Sequence, residues 1–177
     1  MKDNVQLRPL RISDKTVLAE LANNKKIWDN LRDYFPFPYQ ESDAEFFIDL
    51  TATENPQKTF GITYHGELCG VIGLDLQKDV YQKSAELGYW IGEPYWGRGI
   101  ATKAVALITK YGFDHLDLNR IFAAVFAYNT VSMKILEKNG FQKEGIFKSA
   151  IVKNKQCYDE HRYYKLNKSK KLLLFGL

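Results

Sequence analysis

Cysteine is scarce in this chain. Cys69 and Cys157 are the only two, they lie far apart, and neither belongs to a CxxC pair. That argues against a disulfide framework and a thiolate zinc site, and it agrees with a reducing cytoplasm. Histidine is also sparse: His65, His115 and His161 stand alone, without metal-ligand spacing. No apolar stretch reaches the roughly 20 residues that a membrane helix needs, and the terminal run Leu172 to Leu177 is far too short. The opening MKDNVQLRPL has no apolar signal core. Neither sign of charge dominates: 25 Lys and Arg against 21 Asp and Glu leave a net charge of +4. The basic residues are spread along the chain, whereas a nucleic-acid binder gathers them into a stripe or arm. Their one cluster, Lys165, Lys168, Lys170 and Lys171, reads as a solvated tail ahead of a nucleic-acid or lipid site. Repeats, low-complexity segments and interdomain linkers are absent too. With 177 residues, 45% of them hydrophobic, the chain has the means for one ordinary core. The expectation is one domain over 1–167, followed by a basic and apolar tail over 168–177.

What is present alternates between helical and strand patterns. Gln6 to Leu10 reads as a first strand. Ser13 is a plausible N-cap for a helix burying Val17, Leu18 and Leu21, and Asn23-Asn24 breaks it. A short helix around Ile27 to Tyr34 runs into the irregular Pro36-Phe37-Pro38. Ser42-Asp43-Ala44-Glu45 has capping-box spacing, which predicts a third helix carrying Phe46, Phe47 and Leu50. Strands Thr59 to Tyr64 and Leu68 to Leu76 flank the turn His65-Gly66-Glu67. A strand over Ala85 to Ile91 follows, and apolar residues at helical spacing predict a helix over Ile100 to Asp114. Arg120 to Tyr128 is apolar on both faces, which predicts a central, covered strand. Asn129 opens a helix that ends at Asn139-Gly140, and a hairpin about Lys153-Asn154-Lys155 closes the chain. The class is mixed α/β with one principal sheet.

The richest stretch is Glu86 to Thr102, ELGYWIGEPYWGRGIAT. A strand, a Pro-containing turn and a Gly-rich loop open directly into a helix. Backbone N–H groups at the positive end of a helix make a site for a phosphate or pyrophosphate. The stretch lacks GK[ST], so it is not a Walker A loop, and it lacks the third glycine of a dinucleotide fingerprint. Taken alone, the glycine pair is equally well a tight strand-to-helix turn.

The wider pattern is more specific. WGRGIA, then NTVSMKILEKNGF about thirty residues on, together with AELGYWI, EKNGFQKEGIF and CYDEHRYY, resembles the Gcn5-related N-acetyltransferase (GNAT) superfamily over residues 5 to 166. Trp96 stands where that family's loop has Gln or Arg, as it does in the ribosomal-protein N-terminal (RimJ/RimL-like) subgroup that this chain resembles most. The resemblance implies a mostly antiparallel, twisted sheet, splayed around an acetyl-CoA site and flanked by helices. It implies that acetyl-CoA lays its pyrophosphate on Gly97, Arg98, Gly99, Ile100, Ala101 and Thr102 next to Trp96. The pantetheine arm would run along Tyr89, Trp90 and Ile91 beside a bulge, with the Ile91 N–H polarising the thioester carbonyl. Asn129 and Ser132 would face the arm or the sulfur, although plain helix capping explains them as well. No metal is implied.

Acetyl transfer needs an uncharged amine. Glu86 is the candidate base on the resemblance. In an unbulged strand Glu86 and Ile91 face opposite sides, and substrate binding or a structural ion pair is then the competing role. Members of the superfamily often place a tyrosine acid where Leu136 stands, so Ser132, Tyr128 or water would supply the proton. Cys157, on a predicted strand, reads as core. Trp28, Tyr34, Phe35, Phe37 and Tyr39 form either an acceptor wall or ordinary packing.

The expected function is acetylation of a protein or peptide α-amino group in the cytoplasm by a monomer or homodimer that binds neither nucleic acid nor membrane. A polyamine or other small amine is the first rival, which a strongly acidic acceptor pocket would favour. A non-catalytic acyl-CoA sensor is the second.

Overall fold

Residues 4–168 are described by the computed structural model. Lys170, Lys171 and the run Leu172 to Leu177 lie outside the described residues. Twelve regular elements follow in order: β1 (Val5–Arg8), α1 (Lys15–Ala22), α2 (Lys25–Trp28), α3 (Glu41–Ala52), β2 (Thr59–Tyr64), β3 (Glu67–Leu76), β4 (Ser84–Ile91), α4 (Ile100–Asp114), β5 (Arg120–Phe126), α5 (Thr130–Lys138), β6 (Gln142–Lys153) and β7 (Gln156–Leu166). The seven strands form one sheet in the order β1-β2-β3-β4-β5-β7-β6. Every neighbouring pair is antiparallel except β4 and β5.

Helices cover both faces. On one, Ile100, Ala104, Val105 and Ile108 of α4 and Met133 and Leu136 of α5 pack on Leu87 and Ile91 of β4 and Ile121, Ala123 and Val125 of β5. On the other, Leu18, Ala19 and Ala22 of α1 and Ala44 and Ile48 of α3 pack on Leu68 and Val71 of β3, with Trp90 alongside. Strand alternation thus sends Ala85, Leu87, Tyr89 and Ile91 toward α4, and Glu86 and Trp90 to the opposite face.

Several local expectations shift. Asn24, accepting from the backbone of Lys26 and Ile27, caps an α2 of one turn, so no helix extends to Tyr34. In α3 the capping box is Gln40 with Asp43, two residues earlier than Ser42 with Glu45. The buried stripe becomes Ala44, Ile48 and Thr51, and Phe46 and Leu50 face solvent. Val17 of α1 is exposed as well. β5 stops at Phe126; its alternate residues Ile121, Ala123 and Val125 are buried and those between are half-buried. The expected bulge in β4 is missing: β4 pairs with β3 without interruption from Leu76↔Ala85 to Gly70↔Ile91. The irregularity lies one strand over, between β2 and β3, where Cys69 is the extra residue between Ile62↔Gly70 and Thr63↔Leu68. Cys157 is exposed, not core. Lys165 belongs to β7, not to a solvated tail, and its Nζ donates to the Asn139 carbonyl that ends α5, at 2.7 Å.

Asp14 fastens the first turn of this layer to the sheet. Its carboxylate accepts both Arg8 guanidinium N–H groups, at 2.7 and 2.8 Å, and the Arg11 backbone N–H at 2.8 Å. Burial pushes the Asp14 pKa up, and the contacts to Arg8 and Arg11 outweigh it, holding the pKa below the usual value. A depressed carboxylate pKa adds stability above the unfolded value of about 3.9, and that stability is lost as pH falls through the folded value. Asp14→Asn is expected to cost about 1–3 kcal/mol at pH 7, with the deficit shrinking steadily below pH 4. Urea midpoints at pH 7 and pH 3 check this; an equal deficit at both contradicts it.

Candidate active site

β4 and β5 pair over only three positions, Ser84↔Arg120, Ala85↔Ile121 and Glu86↔Phe122. β4 then continues along β3, and β5 along β7, so the sheet opens between them. The Gly92 N–H donates to the Cys69 carbonyl at 2.8 Å. This makes Gly70↔Ile91 a pair without direct hydrogen bonds, so the N–H and C=O groups of Ile91, and of Tyr89 two residues back, point away from β3. They face the opening. The close approach needs Gly70, where a Cβ would lie 2.3 Å from the Trp90 carbonyl oxygen. The Ile91 carbonyl is engaged by Trp96, whose indole Nε1 donates to it at 2.6 Å. Through that contact the unusual loop tryptophan ties the loop back to the strand end.

The loop is also held from the other layer. Glu93 accepts from Asn24 at 2.7 Å and from the Lys26 ammonium, which lowers the Glu93 pKa. Gly97 and Gly99 both take positive φ, 75° and 74°, in the left-handed region that glycine tolerates. Nothing lies within 4 Å of where their Cβ atoms would be. α4 begins at Ile100, and no side chain caps it. Its first-turn N–H groups and the positive end of a 15-residue helix therefore meet an exposed, unobstructed glycine loop. Such a place can hold a phosphate. Arg98 turns back to donate to the Pro94 carbonyl at 3.1 Å. Ile100 is buried, while Ala101 and Thr102 are half-buried, and the Thr102 carbonyl accepts from Asn139 of α5 at 3.2 Å.

Past the opening, Asn129 caps α5, its Oδ1 accepting the Ser132 N–H at 3.1 Å. Ser132 Oγ lies 2.9 Å from the hydroxyl of Tyr89. Sequence reasoning considered Tyr89 for its backbone alone; its side chain bridges the strand to α5, which no local pattern signals. Tyr128 is not free to act there, since its hydroxyl donates to the Asp29 carbonyl.

Glu86 lies on the opposite face. It forms an ion pair with Arg32, a residue that neither motif nor spacing singles out. Glu160 of β7 shares this face, because it pairs with Phe126 and Glu86 pairs with Phe122; it is bound by Arg162 at 2.7 Å. Arg32 belongs to a strap running from Trp28 to Tyr39 that the β6–β7 turn clamps. Lys153, its side chain only 2% exposed, donates to the Leu31 carbonyl at 2.9 Å and to Asp33 at 2.6 Å. Its ammonium also sits 3.3 Å from the centre of the Trp28 ring. Asn154 donates to Asp29 at 2.9 Å. Of the wall aromatics, Tyr39 is buried, Phe35 stacks on it at 4.8 Å, and Tyr34 and Phe37 are exposed. Lys26, Asp29, Asn30, Tyr128, Asn154 and Tyr158 line an open cleft of about 370 Å³ beside the strap.

Lys153→Met keeps the stem and removes the charge and both hydrogen bonds. It is expected to cost about 2–4 kcal/mol and to make the strap a protease site before the sheet unfolds. Limited proteolysis and urea unfolding check this; an unchanged midpoint and cleavage pattern contradict it.

Among the described residues there is no group of three or more His, Cys, Asp or Glu that could hold a metal, and no helix long and apolar enough to cross a membrane. Comparison with known proteins identifies the family. The family model described as acetyltransferase (GNAT) domain matches residues 4–142. "Putative ribosomal N-acetyltransferase YdaF" of Bacillus subtilis (strain 168) is 36% identical over 171 residues, 90% of this chain and 89% of that protein. "Spermidine N(1)-acetyltransferase" of Escherichia coli (strain K12) is 29% identical over 173 residues, 90% and 88% of the two chains. Among solved structures, the microcin C7 self-immunity acetyltransferase MccE, in complex with acetyl-CoA and AMP, superposes with a TM-score of 0.79 at 27% identity, covering 94% of each chain. The chain belongs to the GNAT family of acetyltransferases.

Proposed function

We propose that the protein transfers the acetyl group of acetyl-CoA to the α-amino group of a protein or peptide, as ribosomal-protein N-terminal acetyltransferases do, in the cytoplasm and through one domain over 1–167. The donor's pyrophosphate lies on the N–H groups of Gly97 to Thr102. Its pantetheine arm takes up the outward backbone groups of Tyr89. The Ile91 N–H then donates to the thioester carbonyl, where negative charge develops as the amine attacks. Asn129 and Ser132 lie at the sulfur end. The amine arrives from the Glu86 face and exchanges with Arg32 at that carboxylate, which takes its proton directly or through water.

One observation carries the choice of acceptor: the carboxylates around this face each have an internal cation. Glu86 pairs with Arg32, Glu160 with Arg162, Asp33 with Lys153, Asp29 with Lys25 and Glu93 with Lys26. A polycation needs carboxylates in surplus, whereas a peptide N-terminus brings a single charge followed by neutral amides. An α-amino group also has a pKa near 8, against about 10.4 for a lysine-type amine, so a modest base suffices.

Calorimetry with acetyl-CoA is expected to show binding by the wild type and none by Gly99→Glu, whose carboxylate meets the phosphates. Thiol release is expected with peptide N-termini ahead of spermidine, with a rate that levels off near pH 8. Preference for spermidine overturns the acceptor assignment. Binding without turnover of any amine points to an acyl-CoA sensor. No binding by a folded wild type overturns the whole reading.

A further inference from the structure

The family tyrosine is missing from α5, and the structure supplies a phenol to the same helix face from another element. Leu136 is fully buried in the core, one turn after Ser132. Tyr89 comes from β4, past the last β4–β5 pair at Glu86↔Phe122, and its hydroxyl meets Ser132 Oγ at 2.9 Å. Ser132 is thus fixed at two atoms, since its N–H is held by Asn129 Oδ1 at 3.1 Å. A serine hydroxyl has one hydrogen to give and two lone pairs to accept with. The phenol is the stronger acid of the two and so the better donor, and with the phenol donating, the serine keeps its own hydrogen for a third group.

We propose that Tyr89 is a positioning residue for the transfer reaction: its O–H donates to Ser132 Oγ and so turns the Ser132 O–H toward the departing sulfur. This rests on the acetyl-CoA reading above. The amine nitrogen forms its bond to the thioester carbon, the C–S bond breaks, and the electron pair goes to sulfur. Ser132 hydrogen-bonds the resulting thiolate without giving up its proton. The proton lost by the amine goes to Glu86 or water, and the released thiolate exchanges with solvent. Burial drives the Tyr89 pKa up to about 12, against the opposing pull of the Ser132 contact, so the phenol stays protonated throughout the working pH range.

The test uses the full chain with an amine that the wild type acetylates, and Tyr89→Phe, which removes one oxygen and keeps the ring. The expected result is a fall in kcat of about tenfold, by the same factor from pH 6 to 9. The KM for acetyl-CoA and its calorimetric affinity should stay within about twofold, showing an intact site. Ser132→Ala should fall at least as far, and the double variant no further than Ser132→Ala alone, because Tyr89 acts through the serine. An unchanged kcat in Tyr89→Phe, a loss confined to KM, or losses that multiply in the double variant each overturn the inference while the wild type still turns over. A wild type without turnover on any amine overturns the acetyl-transfer reading and this inference with it.

Discussion

The sheet opens after Glu86 and Phe122 because two well-paired halves pull apart there. β4 follows β3 from Leu76 back to Gly70, and β5 follows β7 along its whole length. Adjacent strands in a sheet are rotated by roughly 20–25°, and at this seam the rotation is not closed by further pairing. Main-chain groups left without partners in a covered place cost about 1–3 kcal/mol each. An extended ligand carrying amides of its own offsets that cost. The glycine loop, the uncapped start of α4 and the Asn129–Ser132 turn all gather at the same end of the seam. Their proximity follows from topology: each comes directly after one of the two diverging strands.

The two layers have different work. The α4–α5 layer packs densely on β4 and β5, and it supports groups whose positions change little: the helix start, the Ile91 N–H and the Tyr89–Ser132 pair. The α1–α3 layer has an apolar cluster of its own against β3, and the strap beside it is held largely by charge. Arg32, Lys153, Lys25 and Lys26 each bind a carboxylate on or beside the strap. Exposed pairs of this kind contribute about 0–1 kcal/mol, so an incoming ammonium can exchange with one of them at small cost. Lys153 differs because it is buried, and its loss takes the cation from Asp33 and the donor from the Leu31 carbonyl.

Much of this was legible in the sequence, for physical reasons. Hydrophobic period and turn chemistry locate every strand, and Gly97-Arg98-Gly99 before an apolar helix is a local pattern with a local meaning. Errors fell where two local signals compete. Phe46 and Leu50 look like a buried stripe, but α3 starts earlier, with Asp43 reaching back to Gln40, and packs on α1 so that Ala44, Ile48 and Thr51 are buried instead. The bulge expected in β4 is missing, and the outward main-chain groups come from the splay, which is a property of four strands and not of one. Arg32, Glu160, Lys153 and the Tyr89 hydroxyl were invisible for the same reason. Their partners lie tens of residues away and are chosen by the fold.

The central claim is that the seam between β4 and β5 receives the acyl donor through the main chain. Amide hydrogen exchange, resolved by residue with and without coenzyme A, tests it directly. The account predicts new protection at Tyr89, Ile91 and Gly97 to Thr102, with β1, β2 and the strap unchanged. Protection absent from Tyr89 and Ile91, or spread evenly over the sheet, would contradict it.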